Sequence, residues 1–210
     1  MKVIIFGASG TVGKHLIQQA LEQGHEVSTF SRDISKLNEF DHPKLYKIQG
    51  DVLHKEAVEK AIIGKEAVIV VLGAGANRKS VVRSIGTQHI IQAMEKTGVN
   101  RLICQSTLGA GNSYSNLNFF WKYIMFGWFL KPVFLDHQQQ ERFVTQSNLN
   151  WTIVRPGAFT DGPQTKNYQH GFSPSHRSLK LKISRADIAH FILQQLYSNH
   201  YLFKSPGLSY

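Results

Sequence analysis

Cysteine is nearly missing from this chain: one thiol, Cys104, in 210 residues. A single cysteine excludes an internal disulfide and fits a cytoplasmic setting. Cys104 sits in the apolar run RLIC and reads as a small core residue, not a nucleophile. Unbroken apolar runs are missing too. The nearest approach to a membrane span, residues 118–135, is interrupted by Lys122, Lys131 and Pro132. The N-terminal apolar run stops at Gly7, too short for a signal peptide, so no stable membrane insertion is expected. Acidic residues are scarce, with 14 Asp and Glu against 24 Lys and Arg, giving a net charge of +10. That excess is scattered and forms no basic arm, which argues against a nucleic-acid reader. It suits attraction of phosphate-bearing small molecules instead. No repeat, low-complexity segment or linker divides the sequence, so residues 1–210 are expected to form one domain. A hydrophobic content of 42% is enough for a sizeable core.

What the chain does have is concentrated at its start, in KVIIFGASGTVG, residues 2–13. Val3 to Phe6 read as a buried strand, and His15 to Leu21 as an amphipathic helix. Between them Gly7 permits a tight turn, Gly10 lets backbone approach a diphosphate, and Gly13 lets helix and strand pack closely. The free N–H groups and positive dipole at the helix start would receive the phosphates. Further strands are expected at 26–30, 44–48, 67–72, 101–105 and 151–154, and helices at 54–63, 81–96, 136–147 and 184–197. The last helix opens with Ser184 and Asp187 in a capping arrangement. Alternating β and α elements predict a Rossmann-like, doubly wound parallel α/β sheet in three layers, with a small C-terminal substrate region. Ligands bind such sheets beyond the carboxyl ends of the strands. Gly7–Gly13, Ser31–Arg32, Asp51–Val52, Gly73–Ala74, Ser106–Thr107 and Pro156–Gly157 all fall there.

Proteins that bind NAD usually end the second strand with a carboxylate for the ribose hydroxyls. Here the strand end reads Thr29-Phe30-Ser31-Arg32. A guanidinium that matches phosphate geometry, with a neighbouring hydroxyl, favours NADP(H). The plainer alternative pairs Arg32 with Asp33 on the surface. Asp51 could accept from the adenine amino group, cap the next helix, or do both.

On the motifs GASGTVG, SRD, GDVL, AVIVVLG, ICQST, the DH pair at 136–137 and WTIVRPGAF, nearly the whole chain resembles the atypical short-chain dehydrogenases/reductases. Within them it is most similar to the NAD(P)H-binding, NmrA-like type and the biliverdin reductase B/flavin reductase group. The resemblance implies that Ser106 lines the nicotinamide or substrate and that Pro156-Gly157 cover the nicotinamide. The cofactor set it implies is Gly7, Ser9, Gly10, Thr11, Val12, Gly13, Ser31, Arg32, Asp51, Val52, Leu72, Gly73, Ala74, Ser106, Pro156 and Gly157. Two departures stand out. No Tyr-x-x-x-Lys pair is present, because Tyr123 is followed by Gly127 and Tyr114 by Asn118. The histidine that follows the proline loop in flavin and biliverdin reductases is Ala158 here.

Hydride transfer depends mainly on positioning two rings, so a flavin, quinone or similar flat acceptor tolerates the missing pair. The expected function is an NADPH-dependent reductase of such a molecule. His137, read as starting a helix and titrating near neutral pH, is the candidate proton donor; Ser106 is the other catalytic candidate, unless its hydroxyl merely caps a strand end. Glu141 pairs with His137 or with a nearby Lys or Arg. The aromatic stretch 119–134 is either a substrate wall, a membrane contact, or a largely buried helix with Lys122 and Lys131 snorkelling, and substantial burial is the expectation. The competing functions are an NmrA-like dinucleotide-sensing regulator without catalysis and, more remotely, a sugar-nucleotide isomerase. The expected partner is a small-molecule substrate, with no metal, and the chain is expected to be a monomer or weak dimer.

Overall fold

A computed structural model describes residues 1–75 and 77–210. Five parallel strands arise where the apolar runs are: β1 (Lys2–Phe6), β2 (Glu26–Ser31), β3 (Leu45–Gln49), β4 (Ala67–Val70) and β5 (Arg101–Gln105). The sixth, β6 (Asn150–Pro156), completes the order 3-2-1-4-5-6. The helices between them are α1 (Thr11–Glu22), α2 (Lys55–Ile62), α3 (Val82–Thr97) and α4 (Lys131–Gln146).

Strand side chains alternate between two cores, as a sheet covered on both faces requires. Val3 and Ile5 of β1, with Ala67 and Ile69 of β4, face α1. Ile4 and Phe6, with Val68 and Val70, face α2, α3 and α4. Burying Phe6, Ile69 or Leu102, each fully enclosed, stabilises the sheet by about 1.5–3 kcal/mol per side chain. Cys104 is buried among them, and that burial raises its thiol pKa, so it packs rather than reacts.

The C-terminal region, expected to be a small substrate region, adds strands and a helix to the fold. β7 (Ala158–Thr160) pairs in parallel with β9 (Lys182–Ser184), and α5 (Arg185–Gln194) follows at once and packs with α1. β10 (Gly207–Ser209) extends the main sheet beside β6, and β8 (Gln169–His170) pairs with it antiparallel. The capping arrangement forms at α5: Ser184 Oγ accepts from the Asp187 N–H at 3.1 Å. The Asp187 carboxylate turns elsewhere, accepting from Thr165, Lys166 and the Tyr210 hydroxyl, and so ties the connecting loop to the chain's last residue.

Two expectations fail between β5 and β6. Helix α4 begins at Lys131, not at Asp136, because Pro132 in its first turn fits a helix start. The aromatic segment is not largely buried. Residues Phe120–Phe129 wind as a π-helix, and Phe119, Phe120, Tyr123, Trp128 and Phe129 are exposed. Within the stretch 119–134, Phe126 and Phe134 are enclosed, in a small separate core with Leu108, Ala110, Leu117 and Leu181.

Candidate functional site

One cleft of about 450 Å³ opens at the carboxyl ends of the central strands. Its base is the glycine turn. Gly7 has a φ of +89°, and a Cβ there would strike the Val71 carbonyl. Gly13 is pressed in the same way against the Gly7 and Ala8 carbonyls, so its absent side chain serves packing rather than ligand contact. Gly10 is the N-cap of helix α1, which has no side-chain cap and no acidic residue in its first turn. Its N–H groups therefore face the cleft beside Ser9, Thr11 and Val12, an arrangement suited to phosphate oxygens.

At the β2 end, Ser31 Oγ donates to Ser9 Oγ at 2.9 Å, which fixes the hydroxyls of both loops. Arg32 and Lys36 both line the cleft. Asp33 is engaged by Ser35 rather than by Arg32. Its carboxylate accepts from the Ser35 N–H and hydroxyl at 3.0 and 2.6 Å, and those bonds lower its pKa. Asp51 lines the cleft while accepting from the Leu53 N–H at 3.0 Å. The N-cap of α2 is His54, so the expected capping role of Asp51 is not met.

The other end is built by Arg83, Gln105, Ser106, Thr107, His137 and Phe159. Ser106 is 1% exposed, and its hydroxyl has no partner among the described residues; neither has Gln105 Oε1. The Ser106 hydroxyl caps nothing, and unsatisfied polar atoms on a cleft wall are ready for a ligand's donors and acceptors. Arg83 stands at the start of α3, where Asp136 accepts from the Arg83 and Ser84 N–H groups. Its guanidinium lies 3.5 Å from the same carboxylate.

His137 requires correction. It lies within α4, not at its start, and burial followed by the Arg83 charge pushes its pKa down to about 3. A neutral imidazole cannot donate as an imidazolium near pH 7. Gln140 Nε2 donates to Thr87 Oγ1 at 3.0 Å, leaving Gln140 Oε1 to accept from His137 Nδ1 at 3.2 Å. That tautomer makes Nε2 a hydrogen-bond acceptor. Because the folded pKa lies below the unfolded value of about 6.5, the unfolded chain binds the extra proton. Stability should therefore fall as pH drops from about 6.5 towards 3. Chemical denaturation of His137→Gln should show a shallower loss over that window, and an unchanged slope would refute the shift.

Glu141 resolves in favour of an arginine: Arg155 Nε and Nη2 donate to its two oxygens at 2.9 and 2.6 Å. Four of the sequence-derived cofactor positions, Gly13, Ala74, Pro156 and Gly157, are not on the cleft wall. Gly157 is instead packed on the Leu181 backbone, and Phe159, two residues further on, lines the cleft. The sequence reading missed Lys36, Arg83, Gln105 and Phe159. Gln105, adjoining Ser106 at a strand end, was within reach of the same reasoning. Tyr114 and Tyr123 both lie outside the cleft wall.

The chain is 27% identical over 221 residues to an uncharacterized chloroplastic protein of Arabidopsis thaliana, covering 97% of this chain and 74% of that one. A short-chain dehydrogenase/reductase of Veillonella parvula, solved in complex with NADP, superposes with a TM-score of 0.84 at 21% identity, over 100% of this chain and 94% of that one. The anaerobilin reductase ChuY of Escherichia coli O157:H7 superposes with a TM-score of 0.82 at 22% identity, over 99% and 96% of the two chains. At these identities the two structures speak for the fold, which they share throughout. A family model described as NAD(P)H-binding matches residues 7–199, and on that match, with the glycine turn where such a ligand needs it, the chain belongs to the NAD(P)H-binding family.

Proposed function

We propose that the protein is an NADPH-dependent reductase that delivers hydride to a flat conjugated small molecule such as a flavin or quinone. One observation carries this reading: a single cleft runs from an uncapped helix start, past Arg32 and Lys36, to a wall of unpartnered Ser106 and Gln105 atoms. The residues fit a dinucleotide. Ser9, Gly10, Thr11 and Val12 would hold its diphosphate, and Ser31, Arg32 and Lys36 a 2′-phosphate. Asp51 and Val52 would meet the adenine, and Leu72, Gly73 and Ser106 the nicotinamide. The bound nicotinamide supplies hydride. Phe159 would stack against the acceptor ring, and His137 Nε2 and Gln105 Oε1 would accept its N–H or O–H groups. With His137 neutral, solvent supplies the proton, which suits a conjugated acceptor better than a simple ketone. A neighbour named as an anaerobilin reductase and another solved with NADP support the direction of this reading.

NADPH and NADH titrations on wild type and Arg32→Ala test it, together with turnover against flavins and quinones. Losing a charge-assisted phosphate contact should weaken NADPH by about 1–3 kcal/mol, roughly 5- to 150-fold, and leave NADH nearly unchanged. Equal losses for both cofactors would remove Arg32 from the phosphate site. The neutral His137 and the lack of a tyrosine among the described residues of the cleft wall favour one rival, a dinucleotide sensor without turnover. Tight NADPH binding with no reduction across the acceptor panel would decide for the sensor.

A further inference from the structure

We propose that the π-helical segment 119–130, together with the 172–181 strap packed beneath it, is a docking face for the surface of an anionic lipid bilayer. The argument begins with winding. A helix closing i→i+5 hydrogen bonds turns about once every 4.4 residues, so side chains four or five apart share a row. Trp121, Phe126 and Leu130 form the inward row and pack into the small core with Leu117, Phe134 and Leu181. Phe119, Tyr123, Ile124 and Trp128 form the outward row, with Phe119 71% and Trp128 76% exposed. With 3.6 residues per turn, positions 119 and 128 would fall on opposite sides. The π winding gathers the aromatics into one face, with Phe120 and Phe129 along its edge.

So large an exposed aromatic surface marks a site of association. Charge decides among the occupants. Residues 96–135 contain no Asp or Glu, and neither do residues 162–186. These two acid-free stretches meet in the same satellite core, where Leu179, Leu181 and Phe172 join Trp121 and Phe126. They bring Lys122, Lys131, Arg177 and Lys180 to the region, in a chain whose net charge is +10. The Lys122 ammonium lies over the Tyr114 ring, 5.6 Å from its centre. Two copies meeting through such faces would oppose like charge to like charge. An anionic headgroup layer attracts the lysines and arginines, while Trp, Tyr and Phe settle at the interface between headgroups and acyl chains. Among the described residues no helix is long and apolar enough to cross a membrane, so contact would lie in the interfacial plane.

Co-sedimentation of the full chain with vesicles of phosphatidylcholine alone, or of phosphatidylcholine with phosphatidylglycerol, tests the proposal. Binding is expected to the anionic vesicles, weakening as salt rises. The exposed pair Trp128→Ser/Phe129→Ser should weaken it about tenfold or more. Lys122→Glu/Lys131→Glu should weaken it by about fivefold per charge or more. NADPH affinity, unchanged in both variants, shows that the fold is intact. Equal partition to neutral and anionic vesicles, or none to either, overturns the proposal. So does a sedimentation-equilibrium dimer that Trp128→Ser dissolves while vesicles are ignored, since the face would then belong to a second copy.

Discussion

Gly7→Ala should lower stability by about 2–5 kcal/mol and nucleotide affinity by more than about 100-fold, far more than one methyl group usually costs. Two effects add. A non-glycine residue in the left-handed region costs about 1–2 kcal/mol. The new Cβ also strikes the carbonyl of Val71, held by its own N–H bond to Phe6 O at 2.9 Å and unable to give way cheaply. Overpacking of this kind costs roughly 1–3 kcal/mol. In a chain of this size each kcal/mol lowers the melting temperature by about 2–4 °C. Gly24 separates the two effects. Its φ is +81°, yet nothing lies within 4 Å of where its Cβ would stand. Gly24→Ala should therefore show the backbone cost alone, about 1–2 kcal/mol, with NADPH binding untouched. Similar melting losses in the two variants would mean that the Val71 contact is not what requires glycine at position 7.

The same turn explains why so much of the fold was legible in the sequence. Strand, glycine turn and helix are each specified within about five residues of chain, and β4 announces itself by an apolar run that only a doubly covered strand needs. The short strands were not legible. β8 spans two residues and β10 three, too few for any alternation to register; β10 forms on the edge that β6 leaves open, and β8 on the edge that β10 leaves. The π-helix escaped for a different reason. Read at 3.6 residues per turn its aromatics point everywhere, which predicts burial; only the wider winding divides them into an inner and an outer row. At the site, the backbone half could be anticipated because glycines and a helix start define it locally. The state of His137 could not. It depends on enclosure and on the charge of Arg83, which comes from another helix and which Asp136 holds in place.

Glu141→Ala should destabilise the protein by about 3–5 kcal/mol, because it strands a buried guanidinium. Arg155 and Glu141 are both enclosed, joined by two hydrogen bonds, and the remaining guanidinium nitrogen donates to Asn112 Oδ1 at 2.6 Å. One side chain of β6 thus fastens both α4, which carries His137, and the loop that leaves Ser106. Removing Glu141 leaves that charge with the single amide oxygen of Asn112, so the guanidinium must draw water in or push α4 outward. Removing both charges with apolar residues of similar volume, Glu141→Leu/Arg155→Met, should restore most of the lost stability, since a buried pair is seldom a large net stabiliser against a well-packed apolar substitute. Turnover should not recover in parallel. The apolar pair has no fork to hold Asn112, and the loop after Ser106 would lose its tether while α4 regains its packing. Urea denaturation and steady-state reduction measured on the single and double variants separate the two contributions. A double variant that regains stability and turnover together would show that the ion pair serves packing alone.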